Sequence, residues 1–145
     1  MIIRIAKNSD LDTINSIRIE YSQGLINHSD IPNHLGFITF VGIIDDSVIG
    51  YISLSPETEK DQYSNEVFLS VFIKSKFQGN KYGPQLIAKA IEHSENSKFA
   101  NLIKLAVSPK NERAIKIYKD FGFISDIDEK KHLCKMVLYT KSPEA

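Results

Sequence analysis

The sequence has few of the residues that crosslink a chain or hold a metal ion. It contains one cysteine, Cys134, and no tryptophan among 145 residues. A single cysteine excludes a disulfide within the chain and indicates a reducing compartment. The four histidines do not lie at the spacing of a metal site, either with one another or with the cysteine. We therefore expect no bound metal.

Long apolar runs and an excess of charge of one sign are also missing. No stretch reaches the roughly 18 apolar residues that cross a bilayer, and the N-terminal MIIRIAKNSD is too short an apolar run for a signal peptide. Lysine and arginine together number 18, as do aspartate and glutamate, so the formal net charge is zero. No overall field attracts nucleic acid or an anionic membrane. We expect a cytoplasmic protein with neither partner.

The composition and the hydrophobic periodicity predict one α/β domain over residues 1–140, with a frayed tail at 141–145. The predicted elements are a strand at 2–5, a helix from about 8 to 24, a hairpin of 36–44 and 48–55, a strand at 67–74, a helix at 84–94, a strand at 102–107, a helix at 111–121 and a closing hairpin of 123–125 and 133–140. The strand, helix and strand from residue 67 to 107 form a βαβ unit. Its two strands should be parallel, with a right-handed crossover.

The junction inside this βαβ unit favours an anion. Its sequence, VFIKSKFQGNKYG, ends a strand in a turn that contains Gly79 and Gly83, and a helix then opens on Pro84. A helix start offers unpaired N–H groups and the positive end of the helix dipole, and glycines let the backbone approach a ligand. We place Pro84 at the first helical position, where its missing N–H costs nothing.

The charges near the junction favour the same interpretation. Residues 67–91 contain no aspartate or glutamate, but they contain Lys74, Lys76, Lys81 and Lys89. A strand-to-helix turn often needs a glycine for conformation alone, and surface lysines are common. The short glycine pattern alone leaves a structural turn and an anion site equally open.

A second motif follows about 25 residues later. It consists of Asn111, Ala114, Tyr118 and Gly122-Phe123, and it matches the pattern N-x-x-A-x-x-x-Y-x-x-x-G-F. Together with the preceding turn, this motif resembles the GNAT superfamily of acyl-CoA-dependent N-acetyltransferases. The resemblance runs from about residue 67 to 123, and it departs from the family at Lys81, where the usual residue is glycine.

The resemblance implies a mixed, mostly antiparallel sheet of six to seven strands, with helices on both faces. A central pair of parallel strands should splay apart to admit acetyl-CoA. The turn from Gln78 through Gly79, Asn80, Lys81 and Tyr82 to Gly83 would hold the pyrophosphate of coenzyme A. Backbone groups of Val71 and Ile73 would pair with the pantetheine arm, as an added strand does.

The resemblance also implies roles for single side chains, each with a plain alternative. Asn111 would reach the pantetheine arm, although asparagine is also a good helix cap. Tyr118 would protonate the leaving thiolate, or it is simply a buried aromatic residue. Glu66 would take a proton from the acceptor amine, or it is an exposed residue at a strand start. Cys134 is not needed for the transfer.

The resemblance therefore implies transfer of an acetyl group to a primary amine of a small molecule, protein or peptide, by direct attack in a ternary complex. The alternative is a non-catalytic module that senses acyl-CoA or an amine, which Lys81 and the lack of a decisive base favour. Acceptor choice should belong to the loops at 24–35, 56–65 and 126–132. The C-terminal edge strands could pair in a homodimer.

Overall fold

The computed structural model describes residues 1–21, 23, 38–55, 66–97, 100–126 and 133–140. The three loops predicted to choose the acceptor, apart from Asp126, and the tail at 141–145 lie outside these ranges. The elements are β1 (Ile2–Ile5), α1 (Leu11–Glu20), β2 (Ile38–Ile44), β3 (Ser47–Ser55), β4 (Glu66–Ile73), α2 (Tyr82–Ser97), β5 (Leu102–Val107), α3 (Glu112–Asp120), β6 (Ile124–Asp126) and β7 (Cys134–Tyr139).

The described strands form one seven-stranded sheet in the order β1-β2-β3-β4-β5-β7-β6. β4 and β5 are parallel, and the other neighbouring pairs are antiparallel. The predicted mixed sheet, its central parallel pair and the crossover helix between them are confirmed. The closing hairpin of β6 and β7 is confirmed as well, and it places β7 rather than β6 beside β5.

The parallel pair splays apart after a short paired stretch. The recorded pairs between β4 and β5 are Glu66 with Leu102, Val67 with Ile103 and Phe68 with Lys104. β4 then continues to Ile73 and stays paired with β3 along this length. The edge of β4 that faces β5 is therefore open from residue 69 onward, which is where the resemblance places the cofactor.

Helices cover both faces of the sheet, and each face has its own apolar core. On one face, Ile14 and Ile17 of α1 pack with Val41 and Tyr51. On the other, the apolar side of α2 packs into a larger cluster of strand residues, and α3 contributes partly buried residues to the same cluster. The splayed strands thus lie between a layer that contains α1 and a layer that contains α2 and α3.

The predicted boundaries of two helices need correction: α1 begins at Leu11 rather than at about residue 8, and α2 extends to Ser97 rather than 94. The first helix ends at Glu20, four residues before Gly24. The crossover helix begins at Tyr82, so Pro84 is its third residue rather than its first. Pro84 still costs nothing there, because the first four N–H groups of a helix have no partner within it. The helix start is therefore closer to the glycine turn than predicted.

Candidate active site

A cleft of about 420 Å³ opens where β4 and β5 separate. The end of β4, the turn after it, the start of α2 and the first turns of α3 surround it. Its lining residues are Tyr21, Val71, Phe72, Ile73, Phe77, Gln78, Gly79, Lys81, Tyr82, Gly83, Pro84, Ile87, Asn111, Arg113, Ala114, Ile117 and Tyr118. The structure thus brings together both sequence motifs, which residues 84–110 separate in the chain.

The edge of β4 that faces this cleft has no partner strand beside residues 69–73. Lys74 donates its N–H to the carbonyl of Ile49 on β3 at 2.8 Å. Backbone groups of successive strand residues point to opposite edges, so the groups of Val71 and Ile73 point away from β3 and toward the splay. These are the two residues that the resemblance assigns to the pantetheine arm.

The turn before α2 contains two residues with left-handed backbone, Gly79 at φ 84° and Lys81 at φ 65°. Glycine takes this conformation freely, whereas any other L-residue pays about 1–2 kcal/mol. Lys81 stands where the resemblance expects glycine, and its φ gives a physical reason for that preference. The side chain of Asn80 holds the turn by donating to the carbonyl of Phe77 at 3.1 Å.

The charges around the cleft suit an anion. Lys81 and Arg113 are the cationic side chains in its lining, and among the lining residues that the structure describes there is no carboxylate. Arg113 was missed at the sequence level, where an arginine in a first helical turn passes for an ordinary solvated residue. Arg113 lies at the cleft because it follows Asn111, another lining residue, by two positions.

Asn111 is both the cap of α3 and a lining residue of the cleft. Its Oδ1 accepts the N–H of Ala114 at 3.2 Å, which confirms the capping role. The cap uses only the oxygen, so the Nδ2 group remains as a donor for a ligand carbonyl. The two roles predicted for Asn111 are therefore compatible.

The rest of the second motif is a helix ending that positions Tyr118. Gly122, at φ 101°, donates its N–H to Lys119 at 2.9 Å, and Phe123 donates to Tyr118 at 3.0 Å. These two bonds form a Schellman motif, which commonly carries an apolar contact between its ends. Here the rings of Tyr118 and Phe123 meet edge to face, with centroids 5.5 Å apart. Gly122 is therefore the C′ residue of α3.

The Tyr118 hydroxyl is a protonated donor at neutral pH. Burial disfavours the phenolate and raises the pKa of Tyr118 to about 12. Tyr118 is also one of the residues that line the cleft. Burial in the core and a position at the site, which were alternatives at the sequence level, thus apply to the same residue.

Glu66 does not line the cleft. Its carboxylate pairs with the ammonium group of Lys104 at 3.1 Å, at the closed end of the parallel strands. Val71, the first residue of β4 at the cleft, is five residues farther along the strand, or about 16 Å at the rise of an extended chain. The structure therefore does not place the predicted base beside the other candidate residues.

Tyr21 is a lining residue that the sequence did not single out. It follows α1 directly, and the sequence predicts it only as a residue of the first helix. Its hydroxyl donates to the carbonyl of Ile73 at 2.6 Å and accepts a bond from the side chain of Gln78. No sequence pattern distinguishes such a tyrosine from a core residue.

Other sequence expectations concern groups away from this cleft. Cys134 is half-buried on β7, with its sulfur 3.9 Å from the Ser125 hydroxyl, and it does not line the cleft. Among the described residues, no group of three or more histidine, cysteine, aspartate or glutamate side chains could hold a metal ion. None of the described helices is long and apolar enough to cross a membrane.

The splayed strand pair, the cationic turn and the capped helix define an acyltransferase domain. Residues 10–123 match the Acetyltransferase (GNAT) family, and the chain belongs to this family. An open strand edge, a helix start and two cations fit an extended ligand with a phosphate-rich end, as coenzyme A is.

Similar proteins carry related names. The chain is 22% identical over 143 residues to the L-amino acid N-acetyltransferase AaaT of Escherichia coli K12, and the match covers 91% of this chain and 88% of that protein. The structure of a ribosomal-protein-alanine N-acetyltransferase from Brucella melitensis superposes with a TM-score of 0.81 at 20% identity, over 96% of this chain and 99% of that one. YncA, a putative acetyltransferase from Salmonella typhimurium solved with acetyl-CoA, gives 0.81 at 18% identity, over 100% and 96%.

Proposed function

We propose that this protein transfers an acetyl group from acetyl-CoA to a primary amine of a small molecule, protein or peptide, by direct attack in a ternary complex. The observation that carries the proposal is the cleft itself, because its lining includes the end of β4, the cationic turn and Tyr118. Membership of the GNAT family supports the same reaction class.

Under this proposal, different residues of the chain bind the different parts of acetyl-CoA. The turn from Gln78 to Gly83 and the start of α2 would hold the pyrophosphate, with Lys81 and Arg113 supplying positive charge. The backbone groups of Val71 and Ile73 would pair with the pantetheine arm. These roles fit the lining of the cleft, which contains both the end of β4 and the start of α2.

Bound acetyl-CoA would supply the reactive thioester. A backbone N–H near Ile73 would hold its carbonyl oxygen, and a preorganised donor of this kind typically lowers a barrier by about 2.7–4 kcal/mol. Tyr118 would act on the leaving sulfur as the general acid. Its pKa of about 12 lies above the roughly 8.5 of a thiol, so we propose that it starts by donating a hydrogen bond while the C–S bond breaks.

The acceptor must lose a proton before it attacks, since most amines are ammonium ions at neutral pH. Under this proposal Glu66 could take that proton only through water, because its carboxylate pairs with Lys104 outside the cleft. The names of two similar proteins refer to L-amino acids and to alanine of a ribosomal protein. L-amino acids and peptide N-termini are therefore the first acceptors to try.

The test is an acceptor screen with acetyl-CoA, read by the release of free thiol. The panel should contain L-amino acids, peptides with free N-termini, lysine side chains, polyamines and aminoglycosides. Thiol release that depends on one acceptor class would support the proposal. Tight binding of acetyl-CoA without turnover on any acceptor would instead favour the sensing module, which the left-handed Lys81 and the lack of a carboxylate in the described lining suggest.

A further inference from the structure

The end of α1 is tied to the cofactor turn by three hydrogen bonds that span more than 50 residues of sequence. The hydroxyl of Tyr21 donates to the carbonyl of Ile73 at 2.6 Å and accepts from Nε2 of Gln78. The neighbouring Glu20 accepts the N–H of Ser75 at 2.8 Å through its carboxylate. All three partners lie between the end of β4 and the glycine turn.

The position of the Tyr21 ring is itself fixed by packing. The ring lies on Phe72, with centroids 5.3 Å apart, and Phe72 in turn packs on Tyr51 at 5.6 Å. The Tyr51 hydroxyl accepts from Arg18 on α1 at 2.9 Å. Tyr21 thus approaches the splay from the α1 face of the sheet, while its hydroxyl reaches the edge of β4 that borders the cleft.

The two bonds of this hydroxyl act on different parts of the candidate site. The carbonyl of Ile73 belongs to the strand edge proposed for the pantetheine arm, and it has no partner strand where β4 and β5 separate. Gln78 begins the turn proposed for the pyrophosphate, and the bond to Tyr21 fixes its side chain. One hydroxyl therefore sets the distance between the strand edge and the turn.

We propose that Tyr21 is a positioning residue for acetyl-CoA, which holds the pyrophosphate turn in register with the end of β4. This inference depends on the proposed function, since it assumes that the cleft binds coenzyme A. Without the hydroxyl, the turn would have to be ordered when the ligand binds, and that ordering costs affinity.

The first test is Tyr21→Phe, which keeps the ring on Phe72 and removes both hydrogen bonds. By isothermal titration we expect the Kd for acetyl-CoA to rise about tenfold, the loss that two modest hydrogen bonds produce. The control is Tyr139→Phe, which removes a tyrosine hydroxyl at an exposed position on β7 outside the cleft. That control should leave the Kd within about twofold of wild type.

A comparison of two acyl donors distinguishes a positioning role of Tyr21 from a general loss of structure. Acetyl-pantetheine lacks the pyrophosphate, so Tyr21→Phe should change its KM less than about threefold while raising the KM for acetyl-CoA about tenfold. Equal losses for both donors would overturn the proposal, because they would indicate damage to the whole cleft. An unchanged Kd for acetyl-CoA would overturn it as well.

A second variant approaches the same bond from the other side. Gln78→Met cannot donate to Tyr21, and if the two residues act as a pair, the double variant should bind acetyl-CoA no more than about twofold worse than Tyr21→Phe alone. Fully additive losses would contradict the pairing. Failure of wild type to bind acetyl-CoA would refute the proposed function instead, which separates the two outcomes.

Discussion

At the scale of single residues, Lys81 stands where the resemblance expects glycine. Its backbone conformation should therefore lower the stability of the fold. The residue holds a left-handed backbone, so Lys81→Gly should raise the free energy of unfolding by about 1 kcal/mol. Urea denaturation measures the change. Lys76→Gly is the control, because this exposed lysine lies in the preceding 3₁₀ turn without a positive φ. Equal effects of the two substitutions would contradict the strain.

The second prediction at this scale concerns Tyr118. Tyr118→Phe keeps the ring contact with Phe123 but removes the proton donor, so turnover should fall at least about 100-fold, within the range for general acid catalysis. The Kd for acetyl-CoA should change less than about twofold. Tyr139→Phe, at an exposed position on β7, is the control and should leave both values unchanged. Unaltered turnover of Tyr118→Phe would remove Tyr118 from the mechanism.

At the scale of elements, the join between β1 and α1 predicts a dependence of stability on pH. Arg4 donates to both oxygens of the buried Asp10 at 2.7 and 3.0 Å, and the N–H of Lys7 adds a third bond at 2.7 Å. The hydrogen bonds from Arg4 are the main cause that lowers the pKa of Asp10. The folded state therefore favours the carboxylate, and its contribution is complete above the unfolded pKa of about 4.

Asp10→Asn should cost about 2 kcal/mol at pH 7, because it leaves a partly buried Arg4 without its counter-ion. As the pH falls through the lowered pKa, Asp10 is protonated in the folded state too, so the difference between wild type and variant should shrink below about pH 4. Thermal unfolding across pH 2.5–7 measures this. Asp12→Asn, at an exposed position in the first turn of α1, should cost less than about 0.5 kcal/mol. A constant difference for Asp10→Asn at all pH values would contradict the linkage.

Most elements could be predicted, because hydrophobic period and turn residues act locally. The strand-helix-strand unit and the ending of α3 at Gly122 follow from such local rules. The positions of Tyr21 and Arg113 could not be predicted in this way, since each reaches the cleft only after distant elements pack. The predicted first helix contains Tyr21, but its sequence gives no information about contacts with Ile73 and Gln78, more than 50 residues away. Glu66 shows the converse, because its place before the motif suggested a site that its pairing with Lys104 does not support.

At the scale of the whole molecule, the separation of the two central strands β4 and β5 opens the candidate binding cleft in the sheet. In the part of the chain that the structure describes, β4 and β5 pair over three residue pairs, and the rest of the β4 edge is open. The start of α2, the Asn111 cap of α3 and Tyr118 near the end of α3 line the cleft beside that edge. The central claim is that this cleft holds coenzyme A.

Isothermal titration with coenzyme A tests that claim most directly. We predict one binding site per chain, and a Kd at least about tenfold higher for Ala114→Trp, which fills the cleft wall from α3. Ala88→Trp, at an exposed position on α2 outside the cleft, should bind as wild type does. No binding of coenzyme A to the wild-type protein at millimolar concentration, or equal binding by Ala114→Trp and wild type, would contradict the account.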